Sequence, residues 1–229
     1  MIFRQLFDKE SSTYTYLLGD PSSGEAALID PVLEQLERDL KVVAELGLKL
    51  TVVLDTHVHA DHVTAAGALR ARTGARTHFS ATGGPECADV LLADGDEIGL
   101  GATRIQALAT PGHTNTCMSY VWGGRVFTGD ALLVRGCGRT DFQEGDAARL
   151  WRSVHEKLFT LPDDTAVYPA HDYRGHTSSS IAEEKRHNPR LGGAATEASF
   201  VELMSNLDLP PPAKIHEAVP ANRACGQRP

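Results

Sequence analysis

Apolar and polar positions in the first third of the chain predict short strands and two helices. Apolar or alternating stretches between turn residues predict strands over residues 2–7, 13–18, 25–30 and 50–55. The third of these ends at Asp30-Pro31, and leucine and valine then recur at helical spacing from residue 33 to residue 46. A second helix is predicted over residues 63–73, directly after a histidine-rich turn.

The remainder of the chain returns to short strands and then changes to helices. Strands are predicted over residues 76–80, 96–100, 103–109, 118–122, 125–128 and 166–168. Asp146 is a predicted helix N-cap, two more helices are predicted around residues 177–187 and 196–206, and the tail from Leu209 onward is predicted as extended coil. This order predicts an α/β sandwich of two sheets with helices outside, as one domain over residues 1–229 with a short C-terminal extension.

Composition and charge narrow the class of protein. The 22 Lys and Arg residues are outnumbered by 30 Asp and Glu residues, and no basic cluster stands out, so a nucleic-acid partner is not expected. No apolar run approaches the roughly 20 residues of a membrane span, and the N-terminus resembles neither a secretory signal nor a transit peptide. These features predict a cytoplasmic protein without a membrane partner. The four cysteines form no C-x-x-C pair and are predicted to be free thiols in a reducing compartment.

Metal-type side chains follow the predicted strand over residues 50–55. His57, His59, Asp61 and His62 lie together in the turn that comes after it. A single histidine is usually structural, but three imidazoles and one carboxylate after a strand are hard to explain by packing. Neutral imidazole and carboxylate are ordinary ligands for zinc, iron and manganese. The motif therefore predicts a metal site on a strand-to-helix loop, where functional residues concentrate.

Three further residues of the same types occupy similar positions. His113, Asp130 and His171 each follow a predicted strand by a few residues. Because each lies in a loop at a strand end, we expect them to converge with the histidine motif at one edge of the sheets. Spacing does not decide which metal is bound, or how many.

The seven metal-type residues, taken in chain order, resemble the ligand pattern of the metallo-β-lactamase superfamily. That pattern is T-H-x-H-x-D-H, followed by G-H, G-D and a final H, and it is matched by His57, His59, Asp61, His62, His113, Asp130 and His171. Within that superfamily, four stretches are similar to the persulfide dioxygenase family, namely residues 136–143, 168–175, 188–191 and 219–222. The resemblance covers nearly the whole chain. It implies the αββα sandwich, in which two mixed β-sheets are flanked by helices.

The resemblance also implies an iron enzyme. It implies that His57, His113 and Asp130 bind one Fe(II) per chain, since two histidines and one carboxylate leave positions open for dioxygen and a sulfur ligand. The remaining residues would then orient the ligands and hold water around them, and these are His59, Asp61, His62 and His171. The implied reaction is the oxidation of glutathione persulfide by dioxygen and water to glutathione and sulfite. Family resemblance also suggests a homodimer.

Two other functions stay open at this point. In a dinuclear hydrolase of the glyoxalase II type, which cleaves glutathione thioesters, all seven residues bind two metals, with Asp130 bridging and a bridging hydroxide as nucleophile. Against this alternative, the chain has Ala60 where that family is expected to carry an aromatic residue. That family is also expected to have an extra C-terminal helical substrate domain, whereas about two short helices and a tail are predicted after His171. A metal-binding or sulfur-carrier module without catalysis is the third alternative, and it is disfavoured because ligand clusters in open loops seldom serve storage.

Substrate-binding residues are predicted from the same stretches. Glutathione carries two carboxylates, and Arg139 is a predicted partner for them because guanidinium binds carboxylate through two N–H groups. Tyr173, two residues after His171, is predicted to donate its hydroxyl to glutathione. Thr114 is predicted to hydrogen-bond near the metal. Cys137 is interpreted as a small loop residue in preference to a thiol beside the metal or a site of persulfide exchange.

Overall fold

Two six-stranded β-sheets pack face to face in the computed structural model, which describes residues 1–227. The first sheet has the order β1 (Ile2–Asp8), β2 (Thr13–Asp20), β3 (Glu25–Ile29), β4 (Lys49–Leu54), β5 (Arg76–Ser80) and β6 (Val90–Leu92). Strands β1 to β3 are antiparallel, whereas β3 to β6 are parallel. The carboxyl ends of the parallel strands therefore lie at the same edge of the sheet.

The second sheet is antiparallel except for one parallel pair. It contains β7 (Glu97–Leu100), β8 (Thr103–Ala109), β9 (Met118–Trp122), β10 (Arg125–Gly129), β11 (Ala166–Pro169) and β12 (Ser179–Ser180), in the spatial order β12-β11-β10-β9-β8-β7. Strands β10 and β11 are the parallel pair. The sequence did not predict β6 and β12, which have three and two residues and are too short to show a hydrophobic period.

Helices cover the outer faces of both sheets. Residues 1–227 form α1 (Leu36–Glu45), α2 (Ala66–Thr73), α3 (Ala147–Ser153), α4 (Ile181–His187), α5 (Glu197–Ser205) and α6 (Ile215–Arg223), with a 3-10 turn over Leu33–Gln35 and a π-helix over Val154–Leu158. Helices α1 and α2 pack on the first sheet, and α3 to α5 pack on the second. No helix in residues 1–227 is long and apolar enough to cross a membrane.

The core is divided into layers by the alternation of side chains along the strands. Tyr16, Leu54 and Phe127 belong to the cluster between the two sheets. Leu17 and Leu28 point the other way and pack with α1 and α2. Because successive strand residues face opposite sides, one strand supplies two layers. The predicted αββα sandwich with two mixed sheets is confirmed.

The prediction of extended coil from Leu209 onward is wrong for residues 215–223, which form α6. Pro220 inside this helix favours a coil interpretation because proline lacks the N–H of a helical hydrogen bond. Burial outweighs that loss, since Ala218 and Ala221 pack fully buried against Val63. Helix α2 begins at Ala66 and not at Val63 as predicted, because the Val63 carbonyl accepts from the Leu33 N–H and the Ala65 N–H donates to the Pro31 carbonyl.

The prediction of free thiols is wrong for two of the four cysteines. Cys87 and Cys225 form a disulfide that joins the segment before β6 to the end of α6, with a sequence separation of 138 residues and a Cα–Cα distance of 6.1 Å. Spacing along the chain could not show this pair, because α6 was not predicted and only the fold brings the two segments together. Cys117 and Cys137 are free and buried.

The disulfide is expected to stabilise the fold, because a crosslink over 138 residues restricts the unfolded chain strongly. Reduction should lower the free energy of unfolding by about 2–4 kcal/mol. Urea denaturation of the wild-type protein with and without reductant measures the difference. The double variant Cys87→Ser/Cys225→Ser is the control, since its midpoint should not respond to reductant. An unchanged wild-type midpoint would contradict the prediction.

Candidate metal centre

The histidine motif forms the loop between β4 and α2, and the Asp30 carboxylate holds this loop in place. Asp30 follows β3 and accepts hydrogen bonds from the backbone N–H of Thr56 at 2.7 Å and from its hydroxyl at 2.9 Å. Its Oδ1 atom also lies 3.1 Å from Nε2 of His59. Asp30 is 1% exposed, so these contacts are made without competing water.

Asp55 occupies the corresponding position after β4. Ile29 of β3 pairs with Leu54 of β4 in the parallel register, so the residues that follow these strands are neighbours. The Asp55 carboxylate accepts from the Thr64 hydroxyl at 2.9 Å and lies 3.7 Å from Nε2 of His59. Sequence analysis missed both aspartates as site residues. The signal was present, because each carboxylate comes directly after one of two adjacent parallel strands.

The structure brings together the three residues predicted to bind iron. His57, His113 and Asp130 each offer a ligand atom, and these atoms all lie within 4.8 Å of one another. His57 Nδ1 is 3.0 Å from the Thr56 hydroxyl, which itself donates to Asp30. That hydroxyl is therefore an acceptor for the Nδ1 proton of His57, an arrangement that leaves Nε2 free to bind a metal.

His113 is oriented in the same way by a backbone carbonyl. Its Nδ1 donates to the carbonyl oxygen of Arg139 at 2.6 Å, and its Nε2 lies 3.5 Å from Oδ2 of Asp130. The preceding Gly112 has a φ of +142°, and a Cβ there would lie 2.3 Å from backbone atoms of Leu150. Only glycine permits this approach of the His113 loop to α3.

The other four predicted residues also converge on the site. His59, Asp61 and His62 form a second group whose ligand atoms lie within 4.8 Å of one another. His171 Nε2 lies 3.6 Å from Asp61 Oδ1 and 3.8 Å from Asp130 Oδ1, between the two groups. All seven predicted residues therefore lie in one cluster, and a second metal also fits its geometry.

The charges in this cluster suit metal ligation. Burial lowers the pKa of His57 and His59 well below its usual value, and neighbouring imidazoles lower it further. Burial raises the pKa of Asp61, but the neighbouring imidazoles, His171 first, bring it well below its ordinary value. Burial lowers the pKa of His171, whereas the Asp130 and Asp61 carboxylates raise it to about 9. Neutral imidazoles and ionised carboxylates are the forms that bind a metal, and His57, His59 and Asp61 have pKa shifts that favour these forms. The raised pKa of His171 favours its protonated form, which pairs with the two carboxylates when no metal is bound.

Three buried atoms of the cluster have no hydrogen-bond partner among residues 1–227. They are Nδ1 of His59, Nε2 of His62 and Oδ1 of Asp130. Leaving a buried polar atom unpaired costs about 1–3 kcal/mol, so native proteins seldom do it without a reason. A bound metal ion would remove that cost for Asp130, and the nitrogen and oxygen donors fit Fe(II), Zn²⁺ or Mn²⁺.

The residues predicted to bind substrate have different surroundings. Arg139 lies near the site, but its guanidinium is paired with Asp141 at 2.6 and 2.7 Å and also donates to the carbonyl oxygens of Leu209 and Pro210. Tyr173 is 73% exposed, and its ring stacks on His171 with centroids 6.1 Å apart. Substrate contact by Arg139 and Tyr173 stays a prediction.

Thr114 and Cys137 are buried beside the site and have protein partners. The Thr114 hydroxyl lies 2.9 Å from the Thr116 hydroxyl and 3.2 Å from Sγ of Cys117. Burial raises the pKa of the Cys137 thiol to about 11, and Arg190 lies 3.9 Å from its sulfur. A protonated, buried thiol of this kind is a poor nucleophile, which supports the interpretation of Cys137 as a small loop residue.

Helix α6 contributes a residue that sequence reasoning did not assign to the site. Nδ2 of Asn222 donates to the carbonyl oxygens of His59 at 2.9 Å and His62 at 2.8 Å, and its Oδ1 accepts from the Thr64 N–H at 2.8 Å. Asn222 is buried, so these bonds hold the backbone of the histidine motif without competing water. The stretch 219–222, one of those that carry the family resemblance, was the available signal.

Comparison with known proteins agrees with this geometry. The chain matches the family model of the metallo-beta-lactamase superfamily over residues 8–171. It is 51% identical to the mitochondrial persulfide dioxygenase ETHE1 of Homo sapiens, over 99% of this chain and 89% of the human protein. It superposes on the crystal structure of ETHE1 from Myxococcus xanthus with a TM-score of 0.97 and 62% identity, covering 99% of this chain and 100% of that one. A hydroxyacylglutathione hydrolase of Cereibacter sphaeroides is 35% identical over 79% of this chain and 71% of its own length.

The two sheets and the cluster at their edge define a metallo-β-lactamase-type metal centre. The chain belongs to the metallo-β-lactamase superfamily and, within it, to the family of the persulfide dioxygenase ETHE1. The family prediction made from the sequence motifs is confirmed.

Gly138 is expected to be required for tight metal binding because a side chain at this position would meet His113. A Cβ at residue 138 would lie 2.7 Å from Nδ1 of His113 and 2.8 Å from the carbonyl oxygen of Asp130. Gly138→Ala should therefore displace two predicted ligands and weaken metal binding roughly 10- to 100-fold. Gly136→Ala is a matched control, since the nearest atom to its Cβ is in Leu133 at 3.9 Å. Metal affinity measured by competition with a chelator tests the pair, and equal affinity of both variants would contradict the prediction.

Proposed function

We propose that this protein is a persulfide dioxygenase that oxidises glutathione persulfide with dioxygen and water to glutathione and sulfite. One observation carries the proposal: the grouping of His57, His113 and Asp130 in a chain that is 51% identical to a persulfide dioxygenase over 99% of its length. In the balanced reaction the sulfur–sulfur bond of the persulfide breaks. The outer sulfur leaves as sulfite with two oxygen atoms from dioxygen and one from water, and glutathione and two protons are released.

His57, His113 and Asp130 would hold a single Fe(II). When bound by two histidines and one carboxylate, Fe(II) supplies open coordination positions for chemistry between dioxygen and a sulfur ligand. The chain keeps the two imidazoles in position through the Thr56 hydroxyl, which faces His57, and the Arg139 carbonyl, which accepts from His113. Such neighbouring contacts set ring orientation and tautomer, and thereby the direction of each lone pair.

The remaining predicted residues would surround this centre without binding the iron. Asp30 orients His59, and the Thr13 hydroxyl lies 3.2 Å from Asp61 Oδ2 and 3.3 Å from His62 Nδ1. His171 lies between Asp61 and Asp130. All three imidazoles of this set are buried, so they exclude bulk water from one side of the centre.

Tyr173 and Arg139 would bind the peptide part of the substrate. The Tyr173 ring is exposed and lies against His171, where a ligand approaching the cluster would meet it. Arg139 would bind a carboxylate only by exchanging its contact with Asp141 for the substrate, so its contribution is expected to be moderate. A homodimeric state and a cytoplasmic location remain predictions.

A specific observation supports a second candidate, a dinuclear thioester hydrolase of the glyoxalase II type. His59, Asp61 and His62 form their own ligand group, and two of the unpaired buried atoms belong to it. A second metal there would produce the bridged centre that such hydrolases use. The relative of this type is less similar, at 35% identity over 79% of the chain, than the persulfide dioxygenase.

Metal content and oxygen uptake distinguish the two functions. The protein is purified anaerobically and loaded with Fe(II), its iron is quantified, and oxygen consumption is followed with glutathione persulfide. A persulfide dioxygenase should hold one iron per chain and consume oxygen only when persulfide is present. Two metals per chain, with hydrolysis of S-lactoylglutathione and no oxygen uptake, would overturn the proposal in favour of the hydrolase.

Substitution of individual ligands is expected to separate the two metal arrangements. His57→Ala and Asp130→Ala should abolish stoichiometric iron binding, because each removes one of three ligands. His62→Ala should retain much of the iron in a mononuclear centre, since His62 lies in the second group. Iron per chain, measured after gel filtration, gives the comparison. Equal loss of metal in all three variants would favour the dinuclear centre.

A further inference from the structure

We propose that Glu184, a buried carboxylate on α4, is a positioning residue for the metal centre. It holds a turn whose next residues contact His113 and Asp130 through their backbone groups. The inference rests on the proposed function, because it takes this centre to be the catalytic iron site. Glu184 is 0% exposed and belongs to the helical layer outside the second sheet. It therefore acts on the centre from a distance, through the loop that follows β10.

The turn over residues 133–136 lies in this loop, between β10 and α3. Leu133 and Gly136 form an antiparallel bridge, in which each backbone N–H donates to the carbonyl oxygen of the other, at 3.0 and 3.1 Å. Arg135, inside the turn, has a φ of +57°, in the left-handed region that a residue with a side chain seldom adopts. Such a conformation persists only where surrounding contacts maintain it.

Glu184 supplies these contacts with both of its carboxylate oxygens. Its Oε2 accepts from the backbone N–H of Arg135 at 3.0 Å, and its Oε1 pairs with the Arg135 guanidinium. The Ser179 hydroxyl donates to Oε1 at 2.6 Å, and Nδ2 of Asn188 donates to Oε2 at 2.8 Å. Within residues 1–227, four donor groups thus surround the buried charge and offset the cost of removing it from water.

Asn188 extends this network to the following residues of the loop. Its Nδ2 also donates to the carbonyl oxygen of Gly136 at 3.0 Å, and its Oδ1 accepts from the Arg190 N–H at 3.0 Å. The Arg190 guanidinium in turn donates to the carbonyl oxygen of Cys137 at 3.2 Å. The stretch 188–191 carries part of the family resemblance but contains no predicted site residue. Its contacts with Gly136 and Cys137 give it a role in holding the loop.

The residues that come next in the chain contact two of the three predicted iron ligands. The Gly138 N–H donates to the carbonyl oxygen of Asp130 at 2.7 Å. The carbonyl oxygen of Arg139 accepts from Nδ1 of His113 at 2.6 Å. Because the loop is closely packed, a displacement of the turn would be transmitted along it to both ligands. Glu184 thereby sets the distance and direction between His113 and Asp130 without touching either.

The experiment compares metal affinity in Glu184→Gln and Glu183→Gln. Glutamine keeps the shape of Glu184 but replaces one oxygen by an NH₂ group, which cannot accept from the donors that face it. Anaerobic competition with a chelator should show Fe(II) affinity lowered about tenfold, the lower end of the range for contacts that orient ligands. Glu183 is the matched control, because its side chain is 54% exposed and pairs with the same guanidinium at 3.1 Å. Glu183→Gln should bind Fe(II) within about twofold of the wild type.

The visible absorption bands of the Co(II)-loaded protein report the geometry of the ligands and do not depend on turnover. They should shift in Glu184→Gln and keep their wild-type positions in Glu183→Gln. Glu184→Gln should also lower kcat for glutathione persulfide and leave KM unchanged, since Glu184 does not reach the substrate. A lower melting temperature with wild-type Fe(II) affinity and wild-type Co(II) bands would show that Glu184 only stabilises the fold, and would overturn the assignment.

Arg135→Lys tests the same contact by a milder change, in case Glu184→Gln does not fold. Lysine keeps the charge opposite Glu184 but lacks the planar fork of guanidinium, and the Arg135 side chain is 30% exposed. This variant should lower Fe(II) affinity by a smaller factor, and wild-type affinity and bands in it would also overturn the assignment. An absence of oxygen uptake by the wild type with glutathione persulfide would overturn the proposed function alone, since the metal affinities do not depend on the reaction.

Discussion

The buried Asp30 carboxylate is the contact on which the metal centre depends. It is placed by the parallel pairing of β3 and β4, and it accepts hydrogen bonds from both the backbone and the hydroxyl of Thr56. Through Thr56 it orients His57, and directly it orients His59. A single carboxylate thus connects the register of a sheet to the direction of two imidazoles. An unpaired charge at this depth would be costly, so the surrounding hydrogen bonds are a condition for folding as well as for binding.

Much of the fold could be predicted from the sequence, because the pattern of apolar and polar residues along each strand agrees with the faces that are buried in the structure. Nearly all strands of more than three residues have a clear apolar or alternating pattern, as in Tyr14, Tyr16 and Leu18 on one face of β2 and Leu17 on the other. The elements that escaped prediction have no such signal. Strand β12 has two residues, and α6 contains a proline. Their positions are decided by tertiary contacts, which a local pattern does not contain.

The metal-type side chains of the candidate site could be predicted from the sequence, but the contacts that hold them in place could not. Histidines and aspartates after strand ends are visible in the sequence, and the structure gathers all seven in one cluster. The Arg139 carbonyl acts through a backbone contact that has no residue pattern. Asp55 and Asn222 lie in stretches that carried a signal, a strand end and a family-like segment, but the signal did not show that their side chains contact the histidine motif. Arg139 illustrates the difference, because a cation near the site was foreseen whereas its pairing with Asp141 was not. Only the fold determines which charges remain available to a ligand.

The role of Asn222 has a consequence for the evolution and engineering of this domain. The superfamily match ends at residue 171, and all seven predicted metal-site residues lie within it. The amide that holds the backbone of His59 and His62 belongs to a helix more than forty residues downstream. The metal-binding motif is thus a composite of distant parts of the gene. A chimera that joins this core to a foreign C-terminal segment would keep the ligand side chains but lose the amide that bonds the backbone of their loop, so the boundary of a functional domain lies beyond Asn222.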